Sequence, residues 1–228
     1  VKLRISETPK FVNKLLGGDM RYITLDIEGD GLSQEYNKQV FPEGNHYDKD
    51  TRIWCVTFHN GSTNKTFVCK LPKTTRRLPR PYRVGNSICW YTRAFHEDST
   101  VVPETLNGYR IERIDDYGRF LKRIAEFIET ASKLGIIIYF KGYGSYNYDK
   151  DALRDNFAKF GINCDLSCLI NKHVNNWHKT TPQVNSRQHL ANQHYMEQGI
   201  IHNIEDAKQL FDYCTKETTC QDLQDGES

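Results

Sequence analysis

The chain has 228 residues, 38% of them hydrophobic and 26% charged, with a formal net charge of +2. That balance excludes a disordered or fibrous chain, and the longest apolar run, over residues 134–140, falls far short of the ~20 residues a membrane span needs. The seven cysteines are odd in number and scattered through a chain large enough to bury a core, so no disulfide scaffold is expected. The expected location is the cytoplasm or another reducing intracellular compartment.

Residues 1–20 read as a lead-in with Gly17-Gly18 as a turn. No initiator Met and no signal-like start precede them, so Val1 is expected to be a processed or cut end. Residues 21–27 (RYITLDI) alternate and are β-branched, then break at Gly29-Asp30-Gly31, which predicts a strand running into a loop. A polar excursion over 32–50 follows. Residues 52–59 (RIWCVTFH) and 66–70 (TFVCK) flank Asn60-Gly61, a hairpin signal, so three antiparallel strands are predicted in the first 70 residues. Trp54 and Phe58 are expected in the core. The sequons at Asn60 and Asn64 read as turn residues.

Residues 71–110 carry Pro72, Pro79, Pro81 and Pro103 with no sustained period and are read as an irregular insertion. It is basic: Lys70, Lys73, Arg76, Arg77, Arg80, Arg83 and Arg93 occur with no acid before Glu97, beside Tyr82, Trp90 and Tyr91. Such a mixture suits phosphate contact with base stacking, so Arg76, Arg77, Arg80, Arg83 and Tyr82 are candidate nucleic-acid contacts; the alternative is a solvated loop. From Asp115 the apolar positions Tyr117, Phe120, Leu121, Ile124, Phe127, Ile128 and Ala131 follow helical spacing up to Gly135. Residues 136–140 predict a short buried strand, and 148–160 a helix ending at Gly161. Residues 162–181 read as a strand or turn with a polar stretch, then 188–198 and 202–223 as two helices. One domain is expected over 21–224, with an acidic tail at 225–228. The element order implies an α/β fold with a mixed sheet and helices on its faces.

Three constellations carry chemistry. Asp26 and Glu28 are two apart on a strand and project from one face, where a Mg²⁺ or Mn²⁺ ion would relieve their repulsion; the alternative is solvated surface. Asp149 opens a helix shortly after the buried strand, where it could also just complement the helix dipole, and Asp151 competes with it. His202 and Asp206 are four apart, which puts an imidazole beside a carboxylate on one helix face, suited to taking a proton from water. Tyr213 and Glu217 repeat that spacing and remain an alternative pair. Separately, Cys164, Cys168, His173 and His178 are zinc-compatible in type, although their spacing matches no common finger.

In order, Asp26-Ile27-Glu28, Tyr148-Asp149 with Ala152-Leu153, and His202-Asn203-Ile204-Glu205-Asp206 resemble the motifs of the DEDD superfamily of 3′–5′ exonucleases. The nearest likeness is to the proofreading domain of phage family A DNA polymerases, over roughly residues 20–215. The resemblance implies a ribonuclease H-like α/β fold, with three antiparallel strands followed by parallel ones. It also implies two Mg²⁺ or Mn²⁺ ions held by Asp26, Glu28, Asp149 and Asp206, with His202 accepting or orienting the proton of the attacking water. The expected substrate is single-stranded DNA, with a separate polymerase or replication protein as a further partner. A ribonuclease D-like exoribonuclease and a degenerate domain that binds nucleic acid or protein without cutting stay open. The chain ends soon after the third motif, so a stand-alone nuclease or a piece of a larger protein is expected.

Overall fold

A computed structural model describes residues 22–29, 51–69, 75–77, 82–84, 87–89, 92–94, 104–142, 147–173 and 193–225. The lead-in 1–20, the excursion 32–50 and Arg80 lie outside them.

The centre is a seven-stranded mixed sheet. Its first strand, β1 (Tyr22–Gly29), pairs antiparallel with β2 (Ile53–His59), which pairs antiparallel with β3 (Asn64–Val68). The expected hairpin joins β2 to β3: Asn60 Oδ1 accepts from the Thr63 amide at 2.8 Å, and Gly61 takes φ +87°. On the other side β1 pairs in parallel with β10 (Ile137–Gly142), and β10 in parallel with β11 (Leu169–His173). The three antiparallel strands and the succeeding parallel ones therefore stand as the sequence predicts.

Two outcomes differ from expectation. The basic stretch is not wholly irregular: β4 (Thr75–Arg77) pairs with β7 (Thr92–Ala94), and β5 (Tyr82–Val84) with β6 (Ser87–Cys89). Its end belongs to the main sheet, where β8 (Thr105–Leu106) turns into β9 (Tyr109–Arg113) and β9 runs parallel to β3. The two C-terminal helices predicted are one, as described below.

Helix α1 (Tyr117–Lys133) starts at Asp116, whose side chain accepts from the Arg119 amide at 2.7 Å. It stops at Gly135, φ +69°, where the Ile136 amide reaches back to the Ala131 carbonyl. The same closure ends α2 (Tyr148–Lys159) at Gly161, with the Ile162 amide on the Phe157 carbonyl. Both helices bury apolar residues such as Phe120, Ile124, Phe127 and Leu153 against Ile23, Leu25 and Ile27 of β1. Phe58 stacks on Phe127 at 4.1 Å between ring centres.

Helix α3 (Gln193–Asp225) covers the opposite face. Its buried positions Ile200, Ile204, Ala207, Leu210 and Cys214 keep helical spacing, so one side lies on the sheet. Thr24, on that face of β1, donates to the Ala207 carbonyl at 2.6 Å. Gly199 permits the close fit: a Cβ there would lie 2.8 Å from the Trp54 ring. The β1–β2 register shifts between Glu28 and Gly29, which pair with Cys55 and Ile53 and leave Trp54 as an extra residue. That bulge turns Trp54 into the α3-side cluster while Phe58 stays in the α1–α2 core.

Candidate active site

The strand alternation that buries Ile23, Leu25 and Ile27 on one side sends Thr24, Asp26 and Glu28 to the other, beneath α3. Asp149 comes from the first turn of α2, at the carboxyl end of β10. That turn is tied to β11 twice: Asn171 Nδ2 donates to Asn147 Oδ1 at 2.8 Å, and Lys150 Nζ to the Leu169 carbonyl at 3.0 Å. Asp206 comes from the inward face of α3. Asp149 and Asp206 are buried at 7% and 8% exposure, values rare for carboxylates without a compensating partner.

Side chains from three distant stretches thus share one space, and their electrostatics record it. Burial and the charges of Asp149, Asp206 and Glu28 raise the Asp26 carboxyl well above the usual range. Burial, then Asp206 and Asp149, lifts Glu28 to about 8. Burial and Asp206 lift Asp149 to about 8, against the lowering charge of Lys141.

Two residues to which the sequence pattern assigns no role hold the cluster. Asn203, fully buried, donates through Nδ2 to Asp26 Oδ2 at 2.6 Å and accepts from the Cys55 thiol at 3.4 Å. It fixes the plane of the Asp26 carboxylate. Lys141, last but one in β10, places Nζ 3.4 Å from Asp206 Oδ2. Asn203 sits inside the third motif, one residue after His202, where a helix face repeat already pointed inward. Lys141 left only the signal of a cation directly after an apolar strand.

His202 lies beside Asp206, with Nδ1 3.7 Å from Oδ1, too long for a hydrogen bond. Among the described residues, neither of those two buried atoms has a hydrogen-bond partner. Tyr213 is two helical turns further along α3, against Leu210 and Cys214 with Tyr22 and Tyr139, towards the start of β1 rather than the carboxylates. The side chain of Glu217 lies outside the described residues. Asp151 points elsewhere, paired with Arg154 at 2.7 Å.

The four carboxylates are the residues that could hold a cation, since carboxylate oxygens are what hard divalent ions take, and Asp206 Oδ1 is buried and meets no hydrogen-bond donor among the described residues. Among the described residues, no three acidic, histidine or cysteine side chains stand at metal-ligand spacing. Cys164 and Cys168 instead lie against α1, directing thiols at the Ala125 and Ile128 carbonyls, and burial pushes Cys164 up to about 12. The side chain of His173 and all of His178 lie outside the described residues.

A cavity of about 370 Å³ opens beside the first turn of α2, lined by Phe140, Asn147, Lys150, Asp151, Arg154 and Asp165 among others; none of the four carboxylates borders it. Of the candidate nucleic-acid contacts, Arg76 and Arg77 belong to β4, with Arg76 in register with Arg93, and Tyr82 and Arg83 to β5. Among the described residues no helix is long and apolar enough to cross a membrane. The chain matches no protein-family model, and a comparison with curated proteins finds no match.

Proposed function

We propose that the chain is a metal-dependent 3′–5′ exonuclease that shortens single-stranded DNA ends by phosphodiester hydrolysis. The observation that carries this reading is the gathering of Asp26, Glu28, Asp149 and Asp206 from β1, α2 and α3, with Asp149 and Asp206 buried, Asp26 and Glu28 half-buried, and the carboxyls of Asp26, Glu28 and Asp149 raised by desolvation and by one another's charge. Gathering like charges away from water is costly, and the cost is recovered when a cation binds. The strand arrangement supports it: β3, β2, β1, β10 and β11 lie in that order, with only β2 antiparallel to its neighbours there, as a ribonuclease H-like fold requires. Polarity of attack and preference for DNA are what the resemblance to proofreading exonuclease domains implies.

When bound, two Mg²⁺ or Mn²⁺ ions supply a nucleophilic water at neutral pH and charge stabilisation at the leaving oxygen. Asp26 and Glu28 present oxygens from a rigid central strand, and Asn203 keeps Asp26 from rotating. Asp149 and Asp206 close the space from two helices. His202, whose Nδ1 has no hydrogen-bond partner among the described residues, would receive a proton next to Asp206. The arginines of β4 and β5 provide phosphate contacts for the strand leading in.

A second reading, nucleic-acid or protein binding without cleavage, is favoured by the Lys141–Asp206 ion pair, which already compensates part of the acidic charge. Digestion of 3′- and 5′-labelled single strands with Mn²⁺ tests the choice. Shortening from the 3′ end, lost in EDTA and in Asp26→Asn with an unchanged near-UV circular dichroism spectrum, is expected. Binding without shortening in Mn²⁺ refutes the nuclease, and faster digestion of RNA than of DNA of equal sequence moves the substrate to RNA.

A further inference from the structure

We infer that Lys141 is a displaceable internal counter-ion, whose ammonium holds the acidic site together in the absence of metal and must withdraw for a divalent ion to enter. The inference rests on the metal-dependent reading above and adds to it the residue that sets cation affinity.

The placement follows from the sheet. Leu25 and Phe140 are in register across the parallel β1–β10 pair, so the next residues along, Asp26 and Lys141, are neighbours on adjacent strands. Lys141 shares its side of β10 with Tyr139, the side that faces α3. A lysine at the end of a strand ordinarily stretches its stem towards water. This one is turned inward: its side chain is 11% exposed and that of Asp206 10%, with 3.4 Å between Nζ and Oδ2. Ordering a four-carbon stem and stripping an ammonium of water are both unfavourable, so the acidic field around it must supply the drive. Its charge reaches Asp26, Glu28 and Asp149 as well, lowering the carboxyl pKa of each.

One ammonium does not saturate this site. Three carboxylates remain beyond the one it pairs with, and Oδ1 of that same Asp206 has no hydrogen-bond partner among the described residues. A divalent ion brings twice the charge and takes carboxylate oxygens at ~2.1 Å, where an ammonium only hydrogen-bonds. An ammonium left beside it would repel it, so the two compete for Asp206. The flexible stem gives Lys141 a way out. Lys141 is therefore a positioning residue: it keeps the carboxylates from springing apart before the metal arrives, at the expense of metal affinity.

Calorimetric titration of the whole chain with Mn²⁺ tests this, without nucleic acid and without reading activity. Lys141→Met, which keeps the stem and removes the charge, is expected to bind Mn²⁺ about tenfold more tightly than wild type or better. Its metal-free melting temperature should fall, and Mn²⁺ should raise it more than in wild type. Lys141→Arg, which keeps the charge and grips a carboxylate with two donors, should bind Mn²⁺ more weakly. The arginine variant keeps the test decisive if Lys141→Met does not fold. Equal or weaker binding in Lys141→Met, or equal or tighter binding in Lys141→Arg, overturns the counter-ion while leaving the metal site standing. Absence of Mn²⁺ binding in wild type and both variants overturns the metal site and the counter-ion together.

Discussion

Asp149 offers a direct measure of the strain in the acidic site. Its carboxyl is held at about 8, against an ordinary 3.8, by burial and by Asp206. A raised carboxyl means that the folded chain keeps a proton that the unfolded chain has released. Well below pH 4 both states are protonated and nothing is lost; stability then falls as pH rises, until the folded-state value near 8 is passed. Between pH 5 and 8 this single group removes about 3 to 4 kcal/mol, at ~1.4 kcal/mol for each pH unit crossed. For a chain of this size that corresponds to roughly 7–14 °C in melting temperature. Asp149→Asn imitates the protonated form at every pH. In EDTA the two proteins are expected to melt closest together at pH 5, and the asparagine variant well above wild type at pH 8, by calorimetry or circular dichroism. A gap that does not widen across that range, or a variant less stable at pH 8, would refute the claim that Asp149 is buried among like charges.

Asn203→Ala deletes the donor to Asp26 and the acceptor for Cys55 in a fully buried position, so urea denaturation should show a loss of about 2–3 kcal/mol. Cleavage should fall in the same variant, because the Asp26 carboxylate is then free to rotate. Replacing Arg76, Arg77, Arg80 and Arg83 by Ala should weaken binding of single-stranded DNA in fluorescence anisotropy and flatten its salt dependence, by ~0.7 in log–log slope for each phosphate contact removed. Tyr82→Ala, by contrast, should weaken binding with the slope preserved, since stacking releases no counterions.

Local rules made much of this molecule legible. Alternation in residues 21–27 gives β1, Asn60-Gly61 gives the β2–β3 hairpin, and the helical run closed by Gly135 gives α1. Each rests on neighbours within a few residues. What stayed hidden depends on distant partners. Tyr109–Arg113 is short and largely polar and becomes a strand only because β3 offers it an edge. Gly199 reads as a helix break, yet Trp54 lies against it, and a helix continuous through that point follows from the packing. Trp54 and Phe58 should share a face by their spacing; the extra residue opposite Glu28 and Gly29 separates them. In the site, the carboxylates were visible as residue types at known intervals. Lys141 was not, because a lysine after an apolar strand ordinarily meets water, and only the acidic field of three other segments turns it inward.

The way β9 returns to the sheet has an engineering consequence. Val68 and Arg113 are in register, and the Ile111 amide bonds the Glu104 carbonyl, so β3 and β8 stand only two strand spacings apart in the sheet. That gap is roughly 10 Å sideways and about as much along the strands, a span that five or six residues cover. Residues 72–102 can therefore be cut out and the ends rejoined by a short glycine-serine link, with the central sheet and all four acids left in place. A trimmed chain of this kind would separate the strand contact proposed for the insertion from the hydrolysis proposed for the acids.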